Sequence, residues 1–173
     1  MAEKGSEPAR SAFIKARLLF SHDAEIQKIL PEIPVFQKKE KEEKLLLFYS
    51  DFWLNYYYFL KCCSLDGYMK MRTIAEIIYS LYRMILQENE ILFECNRRLE
   101  GQVKAISKNT AEWVEMAGKL EVSQDIKDAD VFVEKFLQIT TYVPPADLNE
   151  VFTTYSKDFQ EWWRTSRPNI NEW

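Results

Sequence analysis

Asp128 and Asp130 stand two apart, directly before Val131-Phe132-Val133. On a strand, an Asp-x-Asp pair holds Mg²⁺ on a triphosphate. That chemistry also needs a Gly-Ser turn upstream, and the stretch before Asp128 has none; the one Gly-Ser, Gly5-Ser6, lies near the N-terminus. Asp128 is therefore expected at a helix start, where a carboxylate favours the helix dipole. Arg17 and His22 form an Arg-x4-His pair, a spacing that resembles the one a class of helical RNases carries on a core helix. Here it falls early, on a segment whose pattern also suits a strand, so His22 reads as an ordinary exposed histidine. It is the only histidine, which excludes a multi-histidine metal site and an HExxH helix. Cys62, Cys63 and Cys95 form no CxxC, and read as reduced, core-packed thiols of a cytoplasmic protein. No catalytic residue, metal site or cofactor is assigned.

Binding residues are easier to nominate. Arg72 and Glu76 are four apart, and Glu76 and Arg83 are seven apart, two turns along one helix face. They border an apolar stripe, as groove-lining residues do, although surface pairing is the simpler explanation. Arg97, Arg98, Lys104 and Lys108 make a mild basic patch around Gly101, beside Glu94 and Glu100. With a net charge of −4, nucleic acid is disfavoured as a partner. The rings of Phe48, Tyr49, Phe52, Trp53, Tyr56 and Phe59 have no basic residue among them. A base-stacking platform would interleave cations, so these rings read as core.

Long helices should position these residues. The 173-residue chain has 4 glycines and 6 prolines, with no proline between Pro34 and Pro144. That scarcity disfavours an all-β domain, which needs frequent special turns, and excludes a glycine-rich phosphate loop. Aromatic and charged fractions of 14% and 29% are too apolar for disorder and too charged for a membrane protein. Residues 1–11 read as a solvated, flexible leader. Residues 12–20 alternate as a short edge strand would, yet could equally begin a helix. Ser21 or Asp23 caps a short helix from residue 24 to 30. A first long helix is predicted from about residue 37 to 65, opening on the solvated charge run 38–44 and its Glu40–Lys44 pair. Its ring-rich stripe, widened by Tyr57 and Tyr58, predicts burial on more than one side. Asp66-Gly67 stops it, and a second long helix follows from about residue 68 to 98, closed by Gly101. Shorter helices start at Asn109 or Thr110, at Ser123 or Asp125, and at Asp147; the last passes through Trp162-Trp163 and ends at Pro168.

The order of segments resembles the C-terminal helical domain that follows the catalytic domain in bacterial nucleotidyltransferases of the aminoglycoside-adenylyltransferase type. Three stretches carry this: ARLLFSHDAEIQKIL (16–30), ILFECNRRLEGQVKAI (91–106) and YSKDFQEWWRTSRPNINEW (155–173). The first is similar to the segment leaving the catalytic sheet, the third to a closing Trp-rich helix. The resemblance places Asn96 and Lys104 at the family's recurring Asn and Lys. Leu99-Glu100 replaces the usual Tyr-Pro. It implies a domain that walls the substrate cleft and often supports dimerisation. The Gly-Ser and Asp-x-Asp of the family's catalytic sheet have no counterpart here, so no catalytic role carries over.

The expectation is an all-α, up-and-down helical bundle with two long antiparallel helices, whose N-terminal segment forms either a short strand or a helix start, in one domain over residues 12–173. It is expected to be a non-catalytic binding or assembly domain, with Arg72, Glu76, Arg83, Asn96 and Lys104 as its ligand or partner residues. A small polar ligand, a second copy, or a separate nucleotidyltransferase catalytic chain would be its partner, without nucleic acid or membrane. The alternatives are the helical subunit of a two-part nucleotidyltransferase, and a helical RNase or toxin–antitoxin component served by Arg17 and His22.

Overall fold

A computed structural model describes residues 7–160. All regular structure among them is helical: eight α-helices with short 3₁₀ and π-helical stretches. These are α1 (Glu7–Ser11), α2 (Ala24–Ile29), α3 (Lys41–Trp53), α4 (Gly67–Glu88), α5 (Asn96–Lys104), α6 (Lys108–Ser123), α7 (Ile126–Ile139) and α8 (Leu148–Tyr155). The Trp-rich tail, with Trp162, Trp163, Pro168 and Trp173, lies outside the described residues.

Local rules set most helix starts. The Asp23, Asp125 and Asp147 side chains accept from the backbone amides of Glu25, Lys127 and Asn149, each meeting a donor that the first turn leaves open. At α6 the cap is Ser107, one turn earlier than predicted. Ser107 and Thr110 satisfy each other's backbone amides in a capping box. Gly67 has φ +46°, and α4 begins there, so the left-handed conformation expected at Asp66-Gly67 is present. Gly101 closes no helix; it lies inside α5, as Gly118 lies inside α6.

Two predicted elements come out differently. The segment 12–20 is no strand. It turns and then runs irregularly to α2, because no second strand is present among the described residues to take its backbone hydrogen bonds. The second long helix breaks at Glu88, and α5 starts only at Asn96. Glu90 turns left-handed at φ 56°, and the Asn89 side chain donates to the Ile85 carbonyl at 2.8 Å. Glu88 itself accepts from the Thr141 amide at 2.9 Å and from the Thr140 hydroxyl, which ties this corner to the end of α7. Leu92 and Phe93 keep the apolar spacing of a helix while buried on a non-helical segment.

The first long helix is present but changes pitch. α3 passes into a π-helical stretch, Leu54–Leu60. At its start the Asn55 side chain donates to the Asp51 carbonyl at 2.9 Å, a side chain inserted where a backbone donor would stand. Phe48, Phe52, Tyr56 and Leu60 are buried, whereas Tyr57 and Tyr58 are exposed, so the stripe is narrower than expected. The charge run 38–44 is not wholly solvated, because Lys44 is buried.

α3 packs chiefly on α4, α8 lies against α3, and α5 links α4 to the α6–α7 pair. One apolar core joins them. At its centre Trp113 stacks on Phe132 at 4.9 Å between centroids, meets Tyr82 edge-on at 5.1 Å, and donates its indole N–H to the Phe132 carbonyl at 3.0 Å. Trp113 is fully buried, so Trp113→Ala opens a ring-sized cavity. The expected loss of unfolding free energy is about 3–5 kcal/mol, measured by urea denaturation.

Candidate functional site

The α3–α4 seam carries polar side chains through an otherwise aromatic interior, and a pocket opens beside it. Asp51 on α3 is 3% exposed. Its Oδ1 accepts from Asn55 Nδ2 at 2.9 Å, and its Oδ2 accepts from the hydroxyl of fully buried Ser80 on α4. A cavity of about 190 Å³ is lined by Asp51, Asn55, Arg72, Thr73, Glu76 and Tyr155, with Phe59 and Met69 at its apolar side. Helices α3, α4 and α8 thus converge on one polar pocket. α4 brings Arg72 and Glu76 to it on successive turns, 3.9 Å apart.

Burial dominates the electrostatics. It pushes the Asp51 carboxyl up to about 7; Glu76 raises it further, while the Ser80 and Asn55 hydrogen bonds and Arg72 pull the other way. Glu76 is also raised, by burial first, against the attraction of Arg72. Tyr155 is raised by burial and then by Asp51 and Glu76. The pocket therefore sets an acid that changes charge near neutrality beside a second carboxylate, an arginine and a phenol. It can offer hydrogen bonds of either polarity to a small ligand.

Of the residues nominated from the sequence, only Arg72 and Glu76 meet here. Arg83 is fully buried elsewhere on α4, in an ion pair with Glu7. Asn96 lines a different, more apolar cavity of about 350 Å³, with Met71, Ile74, Ile78, Tyr82 and Leu99 among its walls. Lys104 is exposed and pairs with Glu100 at 2.7 Å; this hydrogen bond raises its pKa. Asp51, Asn55 and Tyr155 were not nominated. The available signal was a lone carboxylate, Asp51, inside the ring-rich run of α3.

The other motifs disperse. Asp128 and Asp130 lie in α7, not on a strand. Asp130 accepts from the Tyr56 hydroxyl at 2.6 Å and pairs with Lys61 at 2.9 Å. Arg17 and His22 are exposed on the irregular segment before α2, not on a helix. Among the described residues no three His, Cys, Asp or Glu side chains gather as a metal site. The cysteines are free; Cys62 is exposed and the other two half-buried, so they are not packed in the core. No described helix is long and apolar enough to cross a membrane.

No family model, curated protein or solved structure matches the chain. The site must be read from its own chemistry.

For Asp51 that chemistry has a direct consequence for stability. The folded carboxyl titrates near 7, above its ordinary value of 3.8. The native state therefore holds a proton that the unfolded chain has already released. Stability contributed by this group is full below pH 4 and is lost as pH rises to about 7. The loss is on the order of 4 kcal/mol. Asp51→Asn keeps the shape and the Ser80 contact but cannot ionise. Urea denaturation at pH 5 and pH 8 should show wild type losing stability across that interval and Asp51→Asn losing much less.

Proposed function

We propose that the chain is a non-catalytic binding and assembly domain, of the kind that forms the substrate-side helical domain of nucleotidyltransferases. Its partner is a separate catalytic chain carrying the Gly-Ser and Asp-x-Asp that this sequence lacks in catalytic arrangement. In this reading the helices form an up-and-down bundle in which α3 and α4 run antiparallel, and the pocket of Asp51, Arg72, Glu76 and Tyr155 takes a small polar ligand.

The observation that supports assembly is the arm between α1 and α3. Phe13, Ile14, Leu19, Phe20, Ile26, Ile29 and Val35 are all exposed, Leu19 at 89% and Phe20 at 80%. α2 buries no residue and packs chiefly on the 3₁₀ turn that follows it, Leu30–Glu32. Single exposed apolar residues are ordinary, but so many on one short segment mark a surface that another protein covers. The backbone of residues 17–20 belongs to no helix or ladder. Such a segment suits addition to the edge of a partner's sheet, and it is the same segment that resembles the strand leaving the family's catalytic domain.

The test is assembly through the arm. Light scattering is measured on wild type and on the double variant Leu19→Asp, Phe20→Asp, each alone and mixed with any chain from a neighbouring reading frame that carries Gly-Ser and Asp-x-Asp. The expected outcome is a complex with that chain, or a dimer, for wild type, weakened at least tenfold in the variant. A wild-type chain that stays monomeric at high concentration and ignores the catalytic chain overturns the proposal.

A further inference from the structure

Glu7 stands in the stretch read from sequence as a solvated leader, yet its side chain is fully buried. Its carboxylate meets donors from three parts of the bundle. Oε1 accepts from Lys44 Nζ of α3 at 2.9 Å and from Gln87 Nε2 of α4 at 2.7 Å. Oε2 accepts from the backbone amide of Phe93 at 3.0 Å and faces Arg83 Nη2 of α4 at 3.5 Å. Two donors thus serve each oxygen, the pattern a planar carboxylate fills.

The socket is built by the bundle, not by α1. The Arg83 guanidinium lies between the Phe48 and Phe93 rings, 4.6 and 3.9 Å from their centroids, and donates to the Tyr79 hydroxyl at 2.6 Å. Stacking of this kind fixes the plane of the cation. Lys44 also meets Glu40 at 3.0 Å, a partly exposed carboxylate at the rim. Gln87 is fully buried, and its Oε1 has no hydrogen-bond partner among the described residues. Two buried cations therefore face one buried carboxylate.

The occupant is weakly built by comparison. α1 has five residues, too few to be stable as an isolated helix. Arg10 holds it as well: it is buried and donates to the Val35 carbonyl at 2.7 Å. The irregular arm joins it to the rest of the chain. A preformed anion site is thus filled by a short tethered segment.

We propose that Lys44, Arg83, Gln87 and the Phe93 amide form a carboxylate-binding socket, which Glu7 occupies in cis and which admits a free carboxylate when Glu7 is withdrawn. The site is separate from the α3–α4–α8 pocket and stands whether or not the assembly reading holds. The tether gives Glu7 a high effective concentration, so the wild-type socket is closed to dilute carboxylates.

Chemical rescue tests this on the full chain. Glu7→Ala leaves a space of carboxylate size between the two cations. It should melt several degrees below wild type in sodium chloride and recover at least half of that loss, saturably, in sodium acetate of the same ionic strength. Wild type should melt alike in both salts, and adding Lys44→Met to Glu7→Ala should abolish the recovery. Equal melting of Glu7→Ala in the two salts overturns the proposal. If Glu7→Ala does not fold in either salt, Glu7→Gln, which keeps the volume, decides. Acetate should then displace its amide and reduce hydrogen-exchange protection of residues 7–14, which chloride does not do. Unchanged protection overturns the proposal.

Discussion

The hydrogen bond between Ser80 and Asp51 crosses the α3–α4 seam inside the core, and the interior is arranged around the need to satisfy such groups. Ser80 is fully buried and Asp51 nearly so, so each finds its partners chiefly within the protein. Asp51 obtains them from Ser80 on α4 and from Asn55 one turn along. The Asn55 amide also caps the Asp51 carbonyl where α3 gives way to the π-helical stretch. The change of pitch and the seam contact are therefore parts of one solution. Widening the helix at residue 54 redirects the following rings, so that Tyr56 reaches Asp130 on α7 while Tyr57 and Tyr58 turn outward.

Much of this was legible because it is local. Asp23, Asp125 and Asp147 cap helices by contacts two residues away, which a sequence displays directly. The Arg72–Glu76 pair is likewise an i,i+4 relation read off one helix. What could not be read depends on long-range contacts. Lys44 sits in a run that looks solvated, and its ion pair with Glu7 spans 37 residues. Phe93 and Glu7 are 86 apart. The break after Glu88 is hidden for a different reason. Leu92 keeps the helical spacing of Ile85, and neither glycine nor proline marks the turn. The left-handed Glu90 is held by tertiary ties at Glu88, which local propensity does not register.

The seam places its charges in two settings with opposite consequences. No ion pair to Asp51 is present among the described residues, and burial outweighs the pull of Arg72, so the neutral acid is favoured. Glu7, some turns away along α4, is surrounded by donors and two cations and accepts a full set of hydrogen bonds. One carboxyl group thus lines an open pocket, and the other is held by ion pairs and hydrogen bonds in a closed socket. Arg72 and Arg83 divide in the same way. Arg72 is more than half exposed in its side chain, whereas Arg83 is fixed between rings.

The glycines bear on how this chain could recognise an anion at all. A phosphate loop brings several backbone amides to the ligand, and glycine is what permits the close approach. Here Gly101 and Gly118 lie inside α5 and α6, with open space where a Cβ would stand. Neither is needed for a close contact, and neither presents a free amide. Gly67, in its left-handed conformation, serves the turn into α4. The carboxylate of Glu7 is accordingly held by side chains together with the Phe93 amide, on a segment freed from helix by the break at Glu88. That break, which interrupts the apolar period without a glycine, is what turns a main-chain donor into the socket.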